Sequence, residues 1–324
     1  MVQQIHPVAK SRRHNYWRRL GIEIWKNRGI YLLMILPIIW YAVFCYGPMG
    51  GLTLAFKKYS GKLGIWGSEW IGWKNFETVF RDPNFFRAVR STLEINIVML
   101  FVCFPMPIIV ALLLNEIRVK RYKKVVQTVL TFPHFLSWVI IGSIIKMMFS
   151  SDGPINDAIR VLGGEKIIFM GRKDLFRPII FISQIWKEAG WGSIVYLAAI
   201  SGIDQQQYEA AEIDGANRWQ RMFYITLPSI FPTIAVMLIL EMGNIMGGHF
   251  DQIFNLRNDV ILSAAETLSM FTYRVTFERM PNYGYSTAVS LFSSLINMVL
   301  LVGANTLSVR FGGGGLLGEG RKKK

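Results

Sequence analysis

The sequence predicts an all-α membrane protein of six transmembrane helices, with a polar helix–turn–helix elbow between the fourth and fifth. Three observations predict it. Of 324 residues, 52% are hydrophobic and only 18% charged, against about 25% charged in a typical soluble domain. The apolar residues come in long blocks, and a hydrocarbon core about 30 Å thick needs around 20 such residues per helix. A polar stretch from Tyr208 to Pro228 separates two of these blocks with a periodicity of its own.

The spans are placed near residues 30–50, 91–114, 125–149, 178–201, 229–248 and 285–309. Pro105 and Pro107 in the second and Pro133 in the third remove backbone donors and are expected to bend or interrupt those helices. Ahead of the spans lies a basic arm, residues 1–29, in which Tyr16, Trp17 and Trp25 recur at helical spacing suited to a membrane interface. Its apolar continuation is too long for a signal peptide and lacks a small-residue cleavage site, so a retained first helix is expected. The segment Gly51 to Arg87 is rich in glycine and holds Trp66, Trp70 and Trp73, which fit an aromatic belt or a small external cap. The membrane domain is taken as 30–310, and GGGGLLGEGRKKK within 311–324 reads as a flexible tail.

Lysine and arginine placement orients the chain. Lys10, Arg12, Arg13, Arg18, Arg19, Lys26 and Arg28 precede the first span, and Arg118, Lys120, Arg121, Lys123 and Lys124 follow the second. Short basic segments beside span ends stay cytoplasmic. Six spans then bring Arg310 and the Arg321–Lys324 run back to the same side, and the Tyr208–Pro228 stretch also falls inside. The net charge of +15 thus finds its partner in anionic lipid headgroups. Nucleic acid is not an expected partner, because no recognition motif accompanies the charge.

The elbow, placed at 204–228, is read from its residues. Glu209, Ala210 and Ala211 favour a helix, and Gly215 supplies a residue that turns the backbone with positive φ at no steric cost. Beyond it Trp219, Met222, Phe223 and Leu227 recur at spacings of three and four, so one face of a second helix is apolar and needs a partner.

Chemistry of the chain's own is not evident. No Gly-x-x-x-x-Gly-Lys-Ser/Thr phosphate cradle is present, and Gly312–Gly315 is followed by Leu316 rather than lysine. His6, His14, His134 and His249 have no second ligand at metal spacing, and Asp152, Asn156 and Asp157 lack the spacing and glutamate of a calcium loop. Cys45 and Cys103 both fall in apolar blocks and imply neither disulfide nor metal. The residues that stand out are polar ones at membrane depth, where ionisable groups are costly and usually face a cavity or partner. Trp186, Lys187, Glu188 and Trp191 in the fourth span, Glu241 and Asn244 in the fifth and Asn297 in the sixth are candidates to line a polar path. Such a lining suits sugars, which offer hydroxyls to polar groups and C–H faces to aromatic rings; pairing between helices for assembly is the alternative. Gly190, Gly192, Gly243, Gly247 and Gly248 permit close packing or local unwinding, close packing being the commoner use.

The elbow resembles the cytoplasmic loop of binding-protein-dependent ABC importer permeases, whose signature begins Glu-Ala-Ala with a glycine five residues after the first alanine. Glu209, Ala210, Ala211, Asp214, Gly215, Ala216, Phe223, Ile225, Leu227, Pro228 and Pro232 all match it. WKEAGWGSIVYLAAISGID upstream, and FDQIF and the end from NYGYSTAVSLF to RFGGGGLL downstream, are similar to the carbohydrate branch, and most to permeases for oligosaccharides and complex polysaccharides of the alginate kind. The resemblance covers roughly residues 30–318.

It implies a multi-pass subunit of the bacterial inner membrane, working by alternating access beside a second permease. Two ATPase subunits dock below, and an extracytoplasmic solute-binding protein delivers solute. It also implies that Glu209, Ala210, Ala211, Asp214, Gly215 and Ala216 form the coupling element, Glu209 making a polar contact with the ATPase and Gly215 the turn. The face around Phe223 and Leu227 is alternatively an anchor to the chain's own membrane domain. No enzyme activity and no cofactor are expected here, since ATP and Mg belong to the partner subunits. The competing readings are an ion-coupled secondary transporter using Lys187, Glu188 and Glu241, for which no inverted repeat is visible, and a membrane-embedded glycosyltransferase or hydrolase, for which Asp251 with Asp259 is a poor carboxylate pair.

Overall fold

The computed structural model describes residues 22–278, 281–310, 312, 315 and 316. Most of the basic arm, with Tyr16 and Trp17, and most of the 311–324 tail, with its Arg321–Lys324 run, lie outside the described residues. The principal helices are α1 (Arg28–Phe56), α2 (Lys74–Arg81), α3 (Pro83–Asn115), α4 (Lys120–Phe135), α5 (Trp138–Met148), α6 (Pro154–Val161), α7 (Lys173–Ser201), α8 (Gln205–Ile213), α9 (Arg218–Met242), α10 (Phe250–Leu256), α11 (Leu268–Tyr273) and α12 (Tyr283–Arg310).

Four of them, α1, α3, α9 and α12, are long and apolar enough to cross a membrane. The expected third span, 125–149, is not one straight helix: α4 and α5 meet at an angle of 99°. The break falls at Pro133, where Phe132–Phe135 tightens into a 3-10 turn and Ser137 caps α5 by accepting the Ile140 N–H. The expected fourth span lies on α7, whose 29 residues cover ~43 Å at about 1.5 Å each. Lys187 and Glu188 sit in its middle and lower its apolarity. The expected fifth span is shorter than 229–248, because the helix stops at Met242 and Gly243–Gly248 runs as successive turns to His249, at φ 63°.

Proline leaves a repeated mark. The π-helical turns Ala42–Tyr46, Met99–Cys103 and Met222–Thr226 each end two residues before a proline: Pro48, Pro105 and Pro228. A proline ring crowds the carbonyl four residues back. In each case that carbonyl lies inside the widened turn, and the residue before the proline bonds five residues back, as Phe104 N–H does to Met99 O at 2.9 Å.

Three apolar cores hold the spans together. One gathers Ile95, Ile141, Phe176, Ile180, Ile253 and Leu256; a second joins Ala55, Phe85, Met246, Leu268 and Ala288; a third, beside the elbow, joins Ala111, Leu112, Tyr196, Met222 and Ile230. α7 runs through the centre and packs on α3, α4 and α9. By contrast every residue of Arg28–Tyr41 is exposed, and α1 joins the domain through its Gly47–Phe56 end.

The Gly51–Arg87 segment folds as a small cap that leaves Trp66, Trp70 and Trp73 exposed. Lys57–Lys58 pairs with Glu69–Trp70 in a two-residue antiparallel ladder, and Phe56 stacks on Trp70 at 5.5 Å. Asn75 Nδ2 ties the cap down by donating to Ala55 O and Lys57 O at 2.9 and 3.1 Å. On the loop around α6, Asn156 donates to Ser150 O and Ile167 O, and the Lys166 ammonium holds the Asp152 carboxyl below the usual carboxylate range.

Lys123 of the basic segment and Tyr208 and Arg221 of the elbow border one cavity, so both lie at one end, as the charge argument requires. Cysteines placed at Arg121 and at Trp70, with Cys45 and Cys103 replaced, are expected to react with impermeant maleimide from the cytoplasmic and the outer side respectively. Outside labelling at Arg121 overturns this topology.

Candidate functional site: a polar cavity and an exposed elbow

Between α3, α7 and α9 lies a cavity of about 290 Å³. Its polar lining is Gln184, Glu188, Tyr196, Glu241 and His249, with the Trp191 ring beside them. Of the path candidates, Glu188, Trp191 and Glu241 therefore come together. Trp186, Lys187 and Asn244 do not line this space.

Lys187 shows where an unlined charge goes. It is buried, and its Nζ donates to the carbonyl oxygens of His134 and Leu136 at 2.6 and 2.8 Å, with the Trp138 ring 5.6 Å away. These are the carbonyls that the α4–α5 break leaves free. A buried ammonium from α7 thus satisfies carbonyls at the break between α4 and α5. Its neighbour Glu188 lies between two partners, with Oε1 3.7 Å from the Lys187 ammonium and Oε2 2.8 Å from His134 Nδ1. The His134 ring lies flat on Trp191, centroids 4.3 Å apart. The break, Lys187 and the His134–Glu188 pair form one unit that presents a carboxylate and an indole to the cavity.

His134 and His249 carried no signal in the sequence beyond being packed side chains. His134 gains its place because Pro133 ends α4 there, and its partner lies 54 residues away. Gln184 lines the cavity, and its Oε1 is buried with no hydrogen-bond partner among the described residues. The glycines divide by use. Ideal Cβ atoms on Gly190, Gly192 and Gly243 would lie 2.0 Å from Leu130 O, 3.0 Å from Pro107 and 2.7 Å from Leu301, so these three serve close packing. Gly247 and Gly248 belong to the unwound turns, which Asn297 fastens to α12 by accepting the Met246 N–H at 2.9 Å.

The elbow is built from its own caps. Asp204 starts α8 by accepting the Gln206 N–H. At the other end Gly215 takes φ 79°, Ala216 N–H donates to Ala211 O at 2.9 Å, and Gly215 N–H donates to Glu212 O at 3.1 Å, the paired bonds of a Schellman stop. Asn217 and Gln220 then exchange side-chain and backbone bonds in a capping box that opens α9. Arg221 bridges back to Glu212 at 3.0 Å, and Tyr208 Oη meets Thr226 at 2.8 Å.

Two of the four apolar residues on the second helix reach the core of the chain: Met222 is buried and Leu227 packs against the adjoining core. Phe223 does not serve as an anchor, because it stays 54% exposed and stacks on Trp219. Ile213 and Tyr224 are 88% and 80% exposed. Glu209, Ala210, Asp214 and Gly215 are exposed as well.

Residues 103–311, which hold both the cavity and the elbow, match the binding-protein-dependent transport system inner membrane component family. The chain belongs to this family. Family membership makes it a multi-pass transporter subunit of the inner membrane rather than an enzyme. Protein LplB of Bacillus subtilis is 44% identical over 292 residues, 90% of this chain and 92% of the relative. The polygalacturonan/rhamnogalacturonan transport system permease protein YteP of the same organism is 41% identical over 300 residues, covering 92% of this chain and 93% of its own. Among solved structures, a chain of a bacterial alginate ABC transporter, crystallised in complex with an alginate pentasaccharide-bound periplasmic protein, superposes with a TM-score of 0.84. It is 37% identical and covers 92% of this chain and 100% of its own.

Proposed function

We propose that this chain is one of two permease subunits of an ATP-driven ABC importer for an oligosaccharide or polysaccharide, an acidic one of the alginate kind being the specific candidate. The elbow carries the reading. It is a capped projection on which Glu209, Asp214 and Gly215 and the apolar Ile213, Trp219 and Tyr224 stay exposed among the described residues. Two ATPase subunits holding ATP and Mg dock there, and their closure moves the elbow and, through α9, the cavity wall. The bent α4–α5 pair and α7 both cross the membrane, bringing the spans to six between the cytoplasmic arm and tail. The exposed α1 rests on lipid or on the second permease. An extracytoplasmic binding protein supplies the solute.

The cavity supports the solute class. Glu188, Gln184, Tyr196 and Glu241 offer acceptors and donors to hydroxyls, and Trp191 offers an aromatic surface. Because both carboxylates belong to this half of the path, an acidic glycan would turn its hydroxyl edge here and its own carboxylates toward the second permease. Glu188→Gln keeps the shape and a hydrogen bond to His134 but removes the charge. We expect the complex to assemble normally while uptake below saturation falls about tenfold, the scale of one charged hydrogen bond. Normal uptake with failed assembly would make Glu188 structural instead.

A further inference from the structure

A larger cavity, about 580 Å³, lies where α3 and α7 end beside the elbow, and the proposed path does not use it. α4 begins with four cations in five residues, yet they are not equivalent. Lys123 is half-buried and lines this cavity together with Gln127 one turn later, whereas Lys120, Arg121 and Lys124 are exposed. Asn115 and Glu116 enter from the end of α3 and Gln205 from the start of α8. Among the described residues the side chains of Asn115, Glu116, Lys123, Gln127 and Gln205 have no hydrogen-bond or ion-pair partner. The nearby cation Arg221 is already held by Glu212 at 3.0 Å. The facing wall is apolar, formed by Ile194, Leu197 and Ile200 of α7.

An ammonium and three amides turned into one space require a ligand with strong acceptors. The Glu116 carboxylate requires one with donors, and the α7 wall requires hydrocarbon. We infer that this cavity holds the headgroup of an anionic phospholipid bearing free hydroxyls, of the phosphatidylglycerol type. The phosphate sits at Lys123, the hydroxyls at Glu116 and the amides, and the acyl chains run along Ile194 and Leu197. Basic pockets between spans on the cytoplasmic side are where such headgroups lodge. Gln205 and Tyr208 belong to the elbow, so an occupied cavity braces α8, and inner-leaflet composition acts on the same element that nucleotide would move. The inference needs the membrane orientation but not the identity of the solute.

The test is native mass spectrometry of the assembled complex, delipidated and then offered phosphatidylglycerol or phosphatidylcholine. Retention of phosphatidylglycerol should exceed that of phosphatidylcholine about tenfold, and Lys123→Gln should lower it about fivefold, the effect of one cation at the membrane surface. Lys123→Glu should lower it further. Lys124→Gln, its exposed neighbour, should change nothing. Equal loss in Lys124→Gln would mean diffuse surface charge, and displacement by equimolar glycerol phosphate would mean a soluble-phosphate site; either overturns the inference, as does undiminished retention in Lys123→Glu. Should Lys123→Glu fail to assemble, Lys123→Gln and Gln127→Leu carry the same comparison.

Discussion

Gly190→Ala should cost the protein roughly 3 kcal/mol or more, at the upper end of what overpacking does. The new methyl would sit 2.0 Å from the Leu130 carbonyl oxygen and 2.3 Å from its carbon, and a backbone carbonyl cannot rotate aside as a side chain does. α4 would have to move off α7. That movement separates Lys187 from the His134 and Leu136 carbonyls and Glu188 from His134, so the cavity wall is lost along with the packing. Fluorescence-detected size-exclusion after heating reads the effect as a large drop in the midpoint of monodispersity, with low yield in membranes. Gly303→Ala is the control, since nothing lies within 4 Å of its added carbon. Stability equal to that of the parent in Gly190→Ala would show that the two helices are not packed as described.

The second large effect concerns the elbow and should leave the membrane domain intact. Gly215 has nothing within 4 Å of an added Cβ, but its φ is 79°, a region that costs an L-residue about 1–2 kcal/mol and a β-branched one more. Gly215→Val therefore acts through conformation alone, by unseating the Schellman stop and the direction in which α8 leaves. Glu209 is exposed and has no side-chain partner among the described residues, so Glu209→Lys changes nothing within this chain. Any effect of that variant must come from another subunit. Both variants are expected to insert normally, and then either to lose the ATPase subunits on purification or to keep them without solute-stimulated hydrolysis. Normal assembly together with normal stimulation in both would remove the elbow from the coupling role.

Local features of this fold were legible in the sequence. Gly215 announced its positive φ because a helix former run precedes it and a second amphipathic helix follows, and Pro133 announced a break because its ring and missing donor act on the adjacent turn. The spans α1, α3, α9 and α12 were legible as apolar runs. What escaped depends on pairing over distance. Lys187 read as a path residue, since nothing in the sequence says that its ammonium meets carbonyls 51 and 53 residues away. His134 read as ordinary packing for the same reason. Asn244, expected in the fifth span, lies in the turns that follow Met242, where four backbone groups are satisfied locally and by Asn297 rather than by helix continuation. Phe223 and Leu227 share a helical face, yet only Leu227 finds the core: Met222 and Thr226 are the buried residues of the widened turn there, and Phe223 turns outward onto Trp219.

ATP-dependence of transport tests the central claim most directly. The chain would be reconstituted in liposomes with its second permease and ATPase subunits, with the binding protein outside and a labelled uronate oligosaccharide as solute. Uptake should require both ATP on the ATPase side and the binding protein, and should persist when proton and sodium gradients are collapsed. Uptake by this chain without ATP or ATPase, driven by an imposed ion gradient and abolished by Glu188→Gln or Glu241→Gln, would contradict the account and make it an ion-coupled carrier.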